Sequence, residues 1–291
     1  SGTDRVTIDG STTGGTATGA GGNAALRELT IQNTNTGTAA AVIAFASGTN
    51  GAQNNTVRNT NILGQDPTTT LIAIAFGGNT TGTVGTDNDG NRVENCSVKR
   101  AIYGIYSAGL SAANQNTGTV ITRNDLSSTT TDRVRRVGIV IFNDDGAQIT
   151  ENSIATETNE SADAIGIGAG IQGIDTTTVT SGAVTNALVA RNKINGIASL
   201  STTGFSASGI AVAGGTTGPN TIVNNMITGV TAPSTSPDIP AGIFVAGVAG
   251  SSTRIYNNSV SMTGDRGSVA TQTPGFGIAI TGTDPTVELK N

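Results

Sequence analysis

Two short motifs recur together along the whole chain, and this repeat limits the possible folds more than any other feature. In the first motif an aliphatic residue is followed five positions later by another. In the second, an Ile that usually follows Gly lies inside a run of alternating residues. Copies of the first motif begin at Leu26, Val57, Val93, Ile121, Ile149, Val189, Ile222 and Ile255. Copies of the second are centred on Ile43, Ile74, Ile105, Ile139, Ile167, Ile210, Ile243 and Ile278. Both motifs advance by about 33 residues, which indicates one structural unit whose length changes are confined to loops.

The centre of the first motif is Asn in five consecutive copies. The successive central residues are Leu29, Thr60, Cys96, Asn124, Asn152, Asn192, Asn225 and Asn258. Asn tolerates the left-handed backbone of a sharp bend, and its amide can both donate and accept hydrogen bonds. We therefore predict a ladder of stacked Asn side chains, in which Cys96 is a buried, inert substitute.

Each repeat holds two or three strands of roughly five residues, too few to fold alone, so each copy must bury its inward side chains against its neighbours. The composition agrees with this, because Gly, Thr and Asn occupy roughly two positions in five and are poor helix formers. The fold class predicted is all-β: a coil of short strands in which identical positions stack.

Composition also excludes several functions. The chain has no His and one Cys, so it has no Ser-His-Asp triad, no His-ligated zinc and no internal disulfide. A net charge of −5 argues against nucleic-acid binding. No run approaches 18 apolar residues, so no membrane span is expected.

The Val/Ile-x-x-Asn-x-Ile and Gly-Ile-x-Val pattern resembles the right-handed parallel β-helix repeat of pectate-lyase-like proteins and of many bacterial secreted surface proteins. The resemblance implies a single β-solenoid domain over residues 1–291, with about eight to nine coils, located outside the cell or on the bacterial surface. Neither end carries a capping segment of the kind solenoids usually have, so we expect a fragment of a larger secreted protein.

The resemblance implies that any catalytic site would act on polysaccharides, because enzymes with this fold do so. Without His, the Gly-His-Gly and Asp-Pro-His motifs of such enzymes are incomplete. The remaining candidates lie in the charge-rich middle: Asp144 and Asp145 as acid, base or calcium ligands, with Arg135 or Arg136 holding an acidic sugar. We favour the alternative, in which these are solvated charges on turns.

A second candidate site is the segment containing Asp87, Asp89 and Asn91, where oxygen ligands alternate around Gly90 as in a calcium loop. The match is partial, because position twelve of the loop is Val98 rather than Glu. An Asx-rich turn without metal is the favoured interpretation, and no other cofactor is expected.

Aromatic and Thr residues give weaker indications. Phe45 and Phe76 share the inward phase, whereas Tyr106 and Phe244 share the outward phase in coils that are not neighbours. We therefore expect core or isolated surface rings rather than a sugar platform. Thr runs at residues 68–70, 129–131 and 176–178 are predicted loops of unequal length, which disfavours an ice-binding face.

Two functions remain open. The favoured one is a non-catalytic structural or adhesive rod, whose strand edges at each end could pair with another copy. The alternative is a polysaccharide-binding or polysaccharide-degrading β-helix that uses the Asp/Arg-rich middle section. The expected partners are accordingly a polysaccharide or surface glycan, or a second copy of the chain.

Overall fold

A computed structural model describes residues 2–128, 131–158, 162–171, 184–201, 205–233, 238–262 and 275–291. This part of the chain forms a right-handed parallel β-helix with three long sheets, to which successive coils add strands. Its one helix is a short 3-10 turn, Ala24–Leu26. Of the predicted loops, residues 129–130 and 176–178 lie outside the described residues. Thr68 and Thr69 lie in a turn, whereas Thr70 begins a strand.

Sheets I and II meet at a bend. Sheet I contains β1 (Thr7–Asp9), β4 (Thr56–Arg58), β7 (Arg92–Glu94), β11 (Val120–Thr122), β15 (Gln148–Thr150), β20 (Leu188–Ala190), β24 (Asn220–Val223), β27 (Ser252–Tyr256) and β30 (Thr286–Lys290). Sheet II contains β2 (Leu29–Gln32), β5 (Thr60–Leu63), β8 (Ser97–Lys99), β12 (Asp125–Leu126), β16 (Ser153–Ile154), β21 (Lys193–Asn195), β25 (Met226–Thr228) and β28 (Ser259–Ser261).

Sheet III has the longest strands, and two small sheets lie at the other bends. Sheet III contains β3 (Ala40–Ala46), β6 (Thr70–Gly77), β9 (Ala101–Ala108), β13 (Val134–Phe142), β18 (Ala164–Ala169), β23 (Ala207–Ala213), β26 (Pro240–Gly247) and β29 (Phe276–Gly282). One small sheet contains β10 (Asn116–Thr117), β14 (Asp144–Asp145) and β19 (Val184–Thr185), and the other contains β17 (Glu157–Thr158) and β22 (Ala198–Ser199).

The predicted register is confirmed. All eight Ile of the second motif are paired with one another along sheet III. The inward rings of Phe45 and Phe76 stack with centroids 4.9 Å apart. One assignment is wrong: Leu26 lies in the 3-10 turn, and Ile8 of β1 takes its place beside Val57. The reason is that residues 10–28 are inserted between β1 and β2, so the first copy does not keep the five-residue spacing.

The Asn ladder forms as predicted. The Oδ1 of Asn192 accepts hydrogen bonds from the backbone N–H and the Nδ2 of Asn152, at 2.9 and 3.0 Å. Its Nδ2 donates to Oδ1 of Asn225 at 3.0 Å and to the carbonyl of Ile149 at 2.9 Å. The same pattern holds at Asn124, Asn152 and Asn225. Each of these buried amides therefore ties together three successive coils.

The left-handed backbone lies one residue earlier than predicted. The ladder Asn itself does not have a positive φ; the residue before it does, with φ between 51° and 58°. These bend residues are Asn59, Asn95, Arg123, Glu151, Arg191, Asn224 and Asn257. Two neighbours thus divide the roles, because one reverses the chain on the outside while the next satisfies hydrogen bonds inside.

Sheet III is also buried on its outer face, which the alternating pattern did not predict. A second hydrophobic cluster covers this face in the middle of the sheet and includes Phe244, Val140 and Ile165, all fully buried. Tyr106 belongs to the same cluster and is 6% exposed. The outward aromatic rings are therefore largely packed rather than isolated on the surface.

We predict that Asn192→Ala lowers the free energy of unfolding by about 3 kcal/mol, because it leaves buried donors on Asn152 without an acceptor. The matched control is Asn195→Ala in the same coil, where the side chain is exposed and accepts one hydrogen bond from Thr228. Urea unfolding followed by circular dichroism measures both. Equal losses in the two variants would contradict the role of the ladder.

Candidate functional site

The structure does not bring the predicted acidic and basic candidates together. Arg135 and Arg136 lie at the start of β13, whereas Asp144 and Asp145 follow its end in a different sheet. The nine residues of β13 span about 25 Å at roughly 3.3 Å per residue. A single sugar ring held by these Arg side chains would therefore be too short to reach the carboxylates of Asp144 and Asp145.

Asp144 is a buried structural acid. It is fully buried and occupies the register position of Asn116 in the preceding strand. Its Oδ2 accepts a hydrogen bond of 2.6 Å from the hydroxyl of Thr119, and its Oδ1 has no hydrogen-bond partner. Burial raises the pKa of Asp144 to about 7, and the negative charges of Asp145 and Asp89 act in the same direction.

Asp145 binds the next coil rather than an open cleft. Its Oδ1 accepts hydrogen bonds from the Thr185 hydroxyl and the Asn186 amide, both at 2.7 Å. Two donors on one oxygen fix this carboxylate against strand β19. Asp145 therefore joins its own coil to the next one.

Arg135 and Arg136 differ in their surroundings. Arg135 is largely buried, and burial, followed by repulsion from Arg133 and Arg136, lowers its pKa. The guanidinium of Arg136 lies over the ring of Tyr103, 5.7 Å from the centroid, within the range of a cation–π contact.

The residues of the predicted calcium site mainly form hydrogen bonds within the rod. Asn91 is buried, and its Oδ1 accepts two hydrogen bonds from Asn55, at 2.9 and 3.1 Å. Oδ1 of Asp89 accepts the N–H of Thr117 at 2.6 Å, and Asp87 has the left-handed φ of 51°. Within the described ranges, no group of three or more acidic, Cys or His side chains is placed to hold a metal ion.

An aromatic pocket on the outer face of sheet III was missed by the sequence reasoning. It has a volume of about 490 Å³, and its walls include Tyr103, Tyr106 and Phe142. The rings of Tyr106 and Phe142 meet edge to face at 6.1 Å, and the Tyr106 hydroxyl donates to the carbonyl of Gly82 at 3.0 Å. Burial raises the pKa of Tyr106 to about 12. The available signal was the outward phase of Tyr106 and Phe142 on the adjacent strands β9 and β13, whereas alternation from Ile105 places Tyr103 in the inward phase.

Charged side chains elsewhere pair along the bend between sheets I and II. Arg123 binds Glu94 and Glu151 at 2.7 Å each, and Glu151 also binds Arg191 at 3.0 Å. Hydrogen bonding to Arg123 is the main cause of the lowered pKa of Glu151. Four successive coils are therefore connected by alternating charges.

These features define a parallel β-helix whose middle coils are joined by ladders of amide and charged side chains. Comparison of the chain with protein-family models, with curated proteins and with solved structures found no match. In the part of the chain that the structure describes, no helix has the length and apolar character to cross a membrane.

We predict that Asp144→Asn stabilises the protein above pH 7 and has little effect near pH 4. Between the ordinary Asp pKa of 3.8 and about 7, the unfolded state releases a proton that the folded state keeps, so stability falls as pH rises. Above pH 7 the folded state also releases this proton, so the stability falls no further. Each pKa unit corresponds to about 1.4 kcal/mol, so we expect the free energy of unfolding of Asp144→Asn at pH 8 to exceed that of the wild type by several kcal/mol.

Urea midpoints measured from pH 4 to pH 8 test this prediction. Asp145→Asn is the control, because it leaves the buried Asp144 carboxyl in place and should keep most of the pH dependence. The assignment predicts that raising the pH from 5 to 8 is less favourable for the stability of the wild type than for that of Asp144→Asn. An equal change in the two proteins would contradict it.

Proposed function

We propose that the protein is a non-catalytic extracellular rod, a structural or adhesive β-solenoid of a bacterial surface or secreted protein. The observation that carries the proposal is the use of its polar side chains. In the middle coils, Asp144, Asp145 and Glu151 bind neighbouring coils instead of converging on a cleft. A chain that uses these groups to hold its own coils in register is suited to rigidity rather than to turnover.

The similarity of the repeat to pectate-lyase-like and bacterial surface β-helices supports the location. The sequence is rich in Thr, Asn and Gly, only 12% of its residues are charged, and its single Cys is buried. Burial raises the pKa of Cys96 to about 12, so this thiol is unreactive and tolerates an oxidising environment.

Association through the sheet edges is part of this proposal. Among the residues that the structure describes, β29 and β30 each have a sheet partner on one side, and the side chains of Ile280 and Leu289 are 53% and 63% exposed. Unpaired parallel edges with apolar side chains are templates for pairing with another chain. The strands β1 and β3 form the edges at the opposite end of sheets I and III.

We expect the sedimentation coefficient of the isolated chain to rise with concentration and Leu289→Lys to reduce this rise, because a charge on the edge opposes pairing. Leu200→Lys, at another exposed Leu, is the control. Analytical ultracentrifugation measures all three proteins. A wild-type monomer at every concentration would contradict end-to-end association.

The second candidate function is polysaccharide binding, and the aromatic pocket favours it. Its volume of about 490 Å³ lies within the range of small-molecule sites, and aromatic faces pack against sugar rings. Tyr103 is half-buried, so part of its ring is accessible, and the nearby Arg136 would favour an acidic sugar.

A glycan array probed with and without calcium tests this candidate. We expect a bound glycan to lose about tenfold in affinity with Tyr103→Ala, as for an aromatic contact at the centre of a site. Tyr256→Ala, which removes a ring from sheet I, is the matched control. The polysaccharide-binding function is wrong if no glycan binds or if the two variants bind equally.

A further inference from the structure

The inserted segment 10–28 lies lengthwise along the rod, over the bends between sheets I and II. The N–H of Gly21 donates to the carbonyl of Glu151 at 2.9 Å. The N–H of Asn23 donates to Oδ1 of Asn95 at 2.7 Å, and Nε of Arg27 donates to the carbonyl of Asn95 at 3.1 Å. We call residues 10–28 the strap, since they connect coils that are not consecutive in the chain.

A polar cavity of about 290 Å³ lies between the strap and the rod. The rod contributes three guanidinium groups, from Arg58, Arg92 and Arg123, and one carboxylate, from Glu94. The strap contributes Gly14, Gly15, Thr16 and Ala17, none of which carries a charge. Two further carboxylates outside the lining, Asp9 and Glu151, pair with Arg58 and Arg123, so the charges of the cluster balance and its surplus is one of N–H donors.

These guanidinium groups have more N–H donors than their ion pairs use. Arg58 binds Asp9 at 2.7 Å, and Glu94 uses one oxygen for Arg92, at 2.8 Å, and the other for Arg123, at 2.7 Å. Each guanidinium carries five N–H donors, whereas both oxygens of Glu94 already have an Arg partner. The side chains of Arg58 and Arg92 remain 45% and 38% exposed.

The strap leaves room beside these donors. A Cβ atom at Gly14 would have no atom within 4 Å, and the left-handed φ of 66° at this residue favours Gly. Arg58 uses Nε and Nη2 for Asp9, and Arg92 uses Nε for Glu94, so a ligand group entering past the Gly-rich rim would meet the remaining N–H groups of these two side chains. Planar or tetrahedral oxyanions are the groups that guanidinium N–H donors bind most strongly.

We propose that the cavity beneath the strap binds an oxyanion, a carboxylate or sulfate group, through Arg58 and Arg92. The site is separate from the aromatic pocket, which lies on sheet III, and it does not depend on the function proposed above. Asp9 positions Arg58, whereas Glu94, itself bound by Arg123, positions Arg92. The sources of such a group are an inorganic anion, a uronic acid or a sulfated sugar.

Isothermal titration calorimetry with sodium sulfate, galacturonate and a sulfated disaccharide tests the site in the intact chain. We expect saturable binding of at least one probe, with Kd below about 1 mM at low salt, weakening as NaCl is added. The probe that binds most tightly identifies the source of the oxyanion. Absence of saturable binding for all three probes would overturn the proposal.

Arg92→Ala should weaken that binding at least about tenfold, because it removes charge-assisted hydrogen bonds. Arg254→Ala is the matched control, since Arg254 occupies the same register column of sheet I at the other end of the rod and pairs with Glu288. Arg92→Lys keeps the charge without the fork and should give an intermediate affinity. Equal affinities in the wild type and Arg92→Ala, or equal losses in Arg92→Ala and Arg254→Ala, would overturn the assignment.

Discussion

The hydrogen bond from one buried Asn amide to the next is the interaction on which this structure depends. At the bend between sheets I and II the backbone groups point into the rod, where water cannot satisfy them. An amide side chain has two donors and an acceptor, so it can pair with the backbone on both sides and with its own copy. Asn152, for example, contacts the coils of Ile121 and Asn192 at once. Stacking is therefore specified by polar groups as well as by Ile packing.

The ladder also explains why the outer bend residue is free to vary. With the inner hydrogen bonds supplied by Asn, the preceding residue needs only to adopt a left-handed backbone, and Arg123, Glu151 and Arg191 do so. That conformation costs an L-residue roughly 1–2 kcal/mol. The ion pairs among these three side chains offset part of this cost, and they place a line of charge on the outside of the rod.

The sequence predicted the fold because two markers advance together, and each marks a position that must stack. It predicted less well wherever a residue's partners come from outside the repeat. Leu26 matched the motif in residue type, but it lies in the strap and not in the sheet. Spacing could not place the strap across the bends, because its contacts with Asn95 and Glu151 join positions far apart in the chain.

The candidate site shows the same limit. From the sequence, Asp144 was a candidate acid, base or calcium ligand, with a solvated charge on a turn as the favoured interpretation. The register was needed to show that it lies between Asn116 and Val184 and is fully buried. Tyr103 and Phe142 line one pocket because their strands, β9 and β13, are neighbours in sheet III, which only the strand pairing reveals. Alternation alone predicts one buried face for a strand, whereas sheet III is buried on both.

Amide hydrogen exchange measured by NMR tests the central claim most directly. The backbone N–H groups of Asn124, Asn152, Asn192 and Asn225, which donate to side-chain oxygens, should exchange as slowly as the strand amides of sheet III, and the Asn side-chain N–H groups should also be protected. Exchange of these groups at the rate of the exposed turns would show that the amide ladder does not hold the coils together.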